Sequence, residues 1–321
     1  MKIVILDAFG MNPGDLSWAP LEKLGEFICY EETDSDDRAE VRRRIGDCEI
    51  LLDSKVILDR ELLQDCPNLR YIGITATGYN CVDLDACREL GITVTNIPQY
   101  STEAVAQHTI ALLLEACCQV GHHAQAVRDG RWAQSNRWCF WDMPLIELAG
   151  KTMGIIGYGA IGKAVGRIAE ALGMKLLVNA RTKHPELEHA NLRFADKETI
   201  FAQADVISLH CPLTDATRHL INATSIAAMK DGVILLNASR GPLIDEKALA
   251  EGLRSKKIRY AGLDVTEKEP LPEDSPLSQL PNCFITPHIA WVPVETRQRL
   301  LDAVVANLVA YLEKCPVNVI S

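Results

Sequence analysis

The sequence has no surplus of basic residues. Lys and Arg number 33 against 43 Asp and Glu, a formal net charge of −10, so no cationic excess is there to displace counterions from a nucleic-acid backbone. Long hydrophobic runs are also missing, and no uninterrupted apolar stretch is long enough to span a bilayer. The opening Met1-Lys2-Ile3-Val4-Ile5-Leu6-Asp7 is too short for a secretory signal and reads as a first buried strand. The 11 cysteines are odd in number, scattered, and without Cys-x-x-Cys spacing, which reads as reduced thiols rather than a disulfide framework. No internal repeat or low-complexity segment stands out. These absences predict a soluble cytoplasmic protein that binds neither nucleic acid nor membrane.

What is present is the composition of a globular protein, 48% hydrophobic and 24% charged over 321 residues, a length that suits two domains. Its most informative segment is Gly157-Tyr158-Gly159-Ala160-Ile161-Gly162. The turn is entered from the apolar run Met153–Ile156 and followed by helix-compatible sequence, Lys163 to Leu172, and a second apolar run, Leu176 to Val178. Strand, glycine-rich turn, helix and strand form the context that a dinucleotide fingerprint needs. The glycines admit a pyrophosphate to the backbone, and the helix N-terminus offers it N–H groups and a positive dipole end. Gly157, Gly159, Ala160, Ile161 and Gly162 are therefore candidate cofactor residues.

Strand candidates at Ile3–Leu6, Ile50–Leu52, Tyr71–Thr75 and Ile92–Thr95 alternate with helical stretches such as Asp36–Ile45 and Val82–Glu89. Alternating βα units imply a parallel sheet with helices on both faces, here without a glycine fingerprint. An amphipathic helix follows from Thr102 to about Val120. Strands recur at Met153–Ile156, Lys175–Val178, Val206–Leu209, Val233–Leu236, Tyr260–Leu263 and Cys283–Ile285, and a helix from Glu295 to Glu313 closes the chain. The expected fold class is α/β with two doubly wound parallel-sheet domains. A Rossmann cofactor domain, 100–291, is inserted in a discontinuous flavodoxin-like substrate domain, 1–99 plus 292–321.

In such sheets ligands bind outside the carboxyl ends of the strands. Arg181 follows one strand end, His210 and Cys211 another, Asn237 to Arg240 a third, Asp264 a fourth and His288 a fifth. A hydride-transfer site needs a cation for a substrate carboxylate, an acid/base for the oxygen, and a group that tunes that acid/base. Arg240, His288 and a nearby carboxylate supply all three. Singly, each reads more readily as a surface ion-pair partner or a satisfied loop residue; jointly, after successive strand ends, they favour chemistry.

Three segments carry a family resemblance: Asn237-Ala238-Ser239-Arg240-Gly241; Gly262-Leu263-Asp264-Val265 with Glu269-Pro270-Leu271; and Thr286-Pro287-His288-Ile289-Ala290-Trp291. Together they resemble the D-isomer-specific 2-hydroxyacid dehydrogenases, over essentially the whole chain. Asn12-Pro13-Gly14-Asp15-Leu16, Ala76-Thr77-Gly78-Tyr79-Asn80 and Cys139-Phe140-Trp141-Asp142 are similar to the branch of that family containing glycerate dehydrogenases and hydroxypyruvate reductases. The resemblance implies that Arg240 grips the substrate carboxylate, a task suited to a planar, bidentate guanidinium. It implies that His288 exchanges a proton with the substrate oxygen and that Glu269 orients His288. Thr77 and Gly78 would offer backbone N–H groups to the carboxylate, and Asp264 would approach the nicotinamide carboxamide. Cys211, Ala238 and Ser239 would line the cofactor site. The implied substrate is a small 2-keto or 2-hydroxy acid, most readily hydroxypyruvate/D-glycerate and also glyoxylate, and the implied assembly is a homodimer.

One departure bears on the cofactor. The fingerprint expects an acidic residue at the end of the second strand to bond the adenosine ribose. That strand ends Asn179-Ala180-Arg181-Thr182-Lys183, with Ala180 at the acidic position. No carboxylate is left there to repel a 2′-phosphate, and Arg181, Thr182 and Lys183 can bond one. NADP(H) is therefore expected to be favoured, with NAD(H) as the alternative if Arg181 merely stacks on adenine.

Two other features stand apart. Trp132, Trp138 and Trp141, with Phe140, crowd the loop Asp129–Met143, which reads either as packed on its own core or as a subunit-interface arm. The pair His122-His123 lacks Cys or carboxylate ligands at a recognisable spacing, so no metal is expected. Competing functions are a phosphoglycerate-dehydrogenase-like enzyme, a non-catalytic nucleotide-sensing corepressor-like protein, and a methyltransferase. Against them stand, respectively, the lack of a cationic cluster in the first domain, the complete Arg240, Glu269 and His288 set, and Ala180.

Overall fold

The computed structural model describes residues 1–182 and 184–321, which divide into two compact units, Met1–Ser101 with Trp291–Ser321, and Thr102–Ala290. The first unit is built on strands β1 (Lys2–Ile5), β2 (Glu26–Cys29), β3 (Ile50–Asp53), β4 (Tyr71–Ile74) and β5 (Thr93–Thr95). They pair in parallel in the order β2-β1-β3-β4-β5. Helices α1 (Ala19–Glu22), α2 (Arg38–Ile45), α3 (Arg60–Gln64) and α4 (Leu84–Leu90) connect them. Asp37, Asp59 and Asp83 start the last three by accepting a backbone N–H three residues on, which satisfies donors the helix leaves free. The central strands are apolar on both faces, as strands covered by helices on both sides must be. Strand β2 is partly exposed along its length, as an edge position allows, and the sequence reading missed it.

The second unit begins with α5 (Thr102–Cys118) and α6 (Val120–Arg128), broken at Gln119, whose φ of 52° is left-handed. Its sheet contains β6 (Thr152–Ile156), β7 (Lys175–Asn179), β8 (Leu192–Phe194), β9 (Val206–Leu209), β10 (Val233–Asn237), β11 (Ile258–Leu263) and β12 (Cys283–Ile285). All pairings are parallel, in the order β12-β11-β10-β9-β6-β7-β8. Helices α7 (Ala160–Ala171), α8 (Lys197–Gln203), α9 (Ala223–Ala228) and α10 (Glu246–Arg254) complete the βα alternation. Two apolar clusters fill its two faces, one centred on Ile207, Leu235 and Leu249, the other on Leu113, Ile155 and Val165. Helix α5 lies close to the sheet because Gly262 has no side chain: a Cβ there would stand 2.9 Å from that of Leu112.

The closing helix α11 (Val294–Leu312) belongs to the first unit, where Leu300, Leu301, Val304 and Leu308 pack with Ile3, Ile5, Leu52 and Tyr71. Arg297 fastens the helix with a bidentate pair to Asp15, at 2.6 Å for each contact. Both sheets are doubly wound α/β structures. No single helix among the described residues is long and apolar enough to cross a membrane.

Candidate active site

Strand order reverses between β6 and β9, and the crevice outside such a reversal is where open α/β sheets bind ligands. On one side of it runs the turn from Gly157. Its φ is +100°, and a Cβ there would stand 2.3 Å from the Cys211 nitrogen and 2.4 Å from the His210 carbonyl carbon. At Gly162 a Cβ would meet the Gly157 oxygen at 2.2 Å. Both glycines are demanded by the chain itself. Gly159 differs: a Cβ there would meet nothing within 4 Å, so the space above it is open. It caps α7 with no side-chain hydrogen bond to the first N–H groups. An exposed, uncapped N-terminus on a 12-residue helix, entered through a Gly159 that carries no side chain, fits a pyrophosphate. The residues present therefore fit a dinucleotide cofactor.

The Asn179 carbonyl holds this turn, accepting from the nitrogens of Gly157 at 2.9 Å and Tyr158 at 3.2 Å. Immediately after it come Ala180, half-buried, and Arg181 and Thr182, both exposed, while Lys183 lies outside the described residues. On the opposite side of the reversal, His210 Nε2 lies 2.7 Å from Ser208 Oγ. Burial lowers the His210 pKa to about 4, so the ring is neutral at pH 7. Cys211 is buried and its thiol is pushed up by burial, which suits lining and not nucleophilic attack.

Beyond β10, Asn237 folds the chain over. It is 1% exposed, accepts from the Ser239 nitrogen at 3.0 Å and donates to the Arg240 carbonyl at 2.9 Å. Ser239 Oγ donates to the Cys211 carbonyl at 2.9 Å, tying this turn to the one after β9. Ala238 lies between these anchors. Arg240 Nη1 donates to the Ser239 carbonyl at 2.8 Å. The next residue, Gly241, presses against another loop, where a Cβ would come within 1.8 Å of the Thr266 carbonyl oxygen. That crossing fixes the Arg240 turn against the segment that carries Glu269, whose Oε1 accepts from the Thr266 nitrogen at 3.3 Å. Oε2 of Glu269 lies 2.7 Å from His288 Nδ1.

His288 has a left-handed φ of 55°, uncommon for a side chain of this size. Its nitrogen donates to the Asp264 and Thr286 carbonyls at 2.9 Å each. The Asp264 side chain completes the support. Oδ1 accepts from Thr286 Oγ1 at 2.6 Å and from the Ile289 nitrogen at 2.9 Å, and Oδ2 from the Ala290 nitrogen at 2.8 Å. His108, on α5, reaches Thr286 Oγ1 at 2.9 Å. Burial alone would raise the Asp264 carboxyl; the bonds from His108, Thr286, Ala290 and Ile289 outweigh it and hold the pKa below the usual value. At 1% exposure, Asp264 is thus chiefly the anchor of the turn that presents His288. Sequence reasoning missed Asn237, Thr286 and His108 in these supporting roles. Asn237 and Thr286 lay inside the recognised segments, whereas His108 lay in a helix with no motif of its own.

Thr77 and Gly78 lie in the first unit, just beyond β4. Thr77 Oγ1 donates to the Ile97 carbonyl at 2.8 Å, and the Thr77 carbonyl accepts from Asn96 Nδ2 at 2.8 Å.

The chain as a whole has counterparts among known proteins. A family model described as the NAD binding domain of D-isomer specific 2-hydroxyacid dehydrogenases matches residues 110–290. The chain belongs to the D-2-hydroxyacid dehydrogenase family. A hydroxypyruvate reductase from Blautia hydrogenotrophica is 53% identical over 321 residues, with 100% of both chains covered. A glycerate dehydrogenase from Methylorubrum extorquens is 39% identical over 298 residues, covering 92% of each. Among solved structures, the TT0316 protein from Thermus thermophilus has a TM-score of 0.88 at 37% identity, with 100% of both chains covered. This D-2-hydroxyacid dehydrogenase is therefore an oxidoreductase that uses a nicotinamide cofactor.

Proposed function

We propose that the enzyme reduces hydroxypyruvate to D-glycerate, accepts glyoxylate as a second substrate, and favours NADP(H) over NAD(H). The observation that carries the chemistry is the 2.7 Å contact of His288 with Glu269, on a loop locked to the Arg240 turn at Gly241. When bound, the reduced nicotinamide supplies the hydride. Arg240 holds the substrate carboxylate and draws electron density from the adjacent carbonyl. Glu269 accepts a hydrogen bond from His288 Nδ1–H, which fixes the ring so that Nε2 faces the substrate. In the reducing direction Nε2 carries the second proton and releases it to the carbonyl oxygen as that oxygen gains charge. The neutral ring that remains keeps its Nδ1–H, hydrogen-bonded to Glu269, and its free Nε2 can take the hydroxyl proton in the reverse step.

Thr77 and Gly78 are assigned, on the family resemblance, as backbone N–H donors to a substrate carboxylate. Asp264 Oδ2 accepts from the Ala290 nitrogen and is assigned the nicotinamide carboxamide as a second donor. The dinucleotide phosphates are assigned to Gly157, Gly159, Ala160, Ile161 and Gly162, with Cys211, Ala238 and Ser239 along the same cleft. Arg181, Thr182 and Lys183 are assigned to the 2′-phosphate. The substrate choice is supported by the names of the two relatives.

A homodimer is proposed on the Trp-rich loop. Trp138 is 87% exposed, Trp141 64% and Trp132 48%, so the loop is not buried in its own core, and a second copy would cover this apolar surface. Light scattering on a sizing column tests this.

The reaction is tested by initial rates of NADPH and NADH oxidation with hydroxypyruvate, glyoxylate and pyruvate. Fastest turnover with hydroxypyruvate and NADPH is expected. Tight cofactor binding without turnover of any keto acid would overturn the assignment.

A further inference from the structure

We propose that His122, His123 and Asp142 form a binding site for a divalent transition metal of the zinc, cobalt or nickel class. The spacing of the two histidines alone predicts no such site. The fold supplies the missing carboxylate from 20 residues downstream, bringing Asp142 Oδ2 within 2.6 Å of His122 Nε2. One ligand atom from each of the three residues lies within 4.8 Å of the others.

The strongest mark is on His123. Its Nδ1 lies 2.8 Å from the Gln119 carbonyl and donates to it, which leaves Nε2 as the lone-pair nitrogen. That nitrogen is buried and has no hydrogen-bond partner. An orphaned buried acceptor is costly and uncommon. A ring pinned through one nitrogen to a carbonyl, with the other free, is also how metal-ligating histidines are held. The left-handed Gln119 that opens α6 positions this carbonyl. The rings of His122 and His123 meet edge to face at 5.1 Å.

Asp142 is held in place by Arg131, from which both of its oxygens accept at 2.5 Å each. Arg131 itself lies over the Phe140 ring, 4.5 Å from its centroid.

Two imidazoles and one carboxylate, with a fourth position for water, match the preference of zinc-class ions and not the all-oxygen shells of calcium or magnesium. Binding replaces the hydrogen on His122 Nε2. That proton leaves to solvent from a charged ring, or is exchanged for one on Nδ1 in a neutral ring. Ligands about 2.0–2.1 Å from a tetrahedral ion stand roughly 3.3 Å apart, so His122 and Asp142 must part slightly. Arg131 remains on the other oxygen, and its charge keeps the affinity moderate. The bound ion would tie α6 to the loop carrying Trp141.

The test uses untagged full-length protein stripped with EDTA and titrated with cobalt(II), then with zinc in a calorimeter. One equivalent of cobalt should give a tetrahedral visible absorption band without thiolate charge transfer. His123→Gln should remove the band and weaken zinc at least tenfold while keeping the unfolding temperature. His189→Gln, outside the cluster, should change neither. A band that survives His123→Gln, a thiolate signature, or no saturable binding would overturn the proposal. The outcome does not depend on the dehydrogenase reading.

Discussion

Nδ1 of His288 meets Oε2 of Glu269 at 2.7 Å across 19 residues of chain. Neither residue is held by this contact alone. Asp264 accepts the backbone N–H groups that follow His288, and Gly241 lets the Arg240 turn abut the Thr266 carbonyl. Replacing Glu269 with Ala frees the ring while leaving the cofactor turn untouched. The expected result is a fall in kcat on the order of 10²-fold or more, with NADPH affinity, read by fluorescence, unchanged. A matching loss of NADPH affinity would place Glu269 in cofactor binding instead.

Gly157 and Gly159 should separate folding from binding. Gly157→Ala puts a Cβ 2.3 Å from the Cys211 nitrogen at a φ of +100°, so thermal stability and dinucleotide binding should both fall. Gly159→Ala meets nothing within 4 Å; it should melt like the parent and lose cofactor affinity. Equal behaviour of the two variants in calorimetry would remove the pyrophosphate assignment from Gly159.

Arg181 is exposed at the end of β7, with Ala180 in place of an acid. A charge-assisted hydrogen bond is worth about 1.5–3 kcal/mol, and each 1.4 kcal/mol is tenfold. Arg181→Asp should therefore lower kcat/KM for NADPH by about 10- to 100-fold relative to NADH. An unchanged ratio would leave the 2′-phosphate without its assigned partner.

The first unit holds two neighbouring carboxyl groups, a half-buried Asp7 just beyond β1 and a buried Asp53 at the end of β3. Burial first, offset by hydrogen bonds from Ser54, raises Asp7 to about 6. Burial and then the neighbouring Asp7 raise Asp53 well above the usual value, and its Oδ2 has no partner. Unfolded, such groups lose their protons near pH 4. Between about pH 4 and 6 the folded state thus holds more protons, and stability falls as pH rises through that window. Asp53→Asn mimics the protonated form and should raise Tm at pH 8 while changing little at pH 4. A Tm for the parent that climbs from pH 5 to 8, with no gain in Asp53→Asn, would contradict this.

Much of this was legible because local chemistry and global fold agree. The βα alternation shows in apolar runs such as Val233–Leu236, and the glycine turn is set by clashes that any side chain at Gly157 or Gly162 would cause. The short edge strand β2 was not legible, since its partly exposed Glu26–Cys29 carries little apolar signal. Strand β8, three residues long with Arg193 exposed, escaped for the same reason. Long-range side-chain convergence was the other blind spot. Asp142 beside His122, and His108 beneath Thr286, are separated in sequence by turns and strands that carry no trace of the contact.

The central claim is proton exchange at His288 during keto-acid reduction. It is tested most directly by NADPH oxidation with hydroxypyruvate, comparing the parent with His288→Asn, with NADPH binding measured on both. The account predicts rapid oxidation by the parent and a loss in kcat of about 10²–10⁴-fold in the variant, at equal NADPH affinity. Turnover by His288→Asn at the parental rate would contradict it.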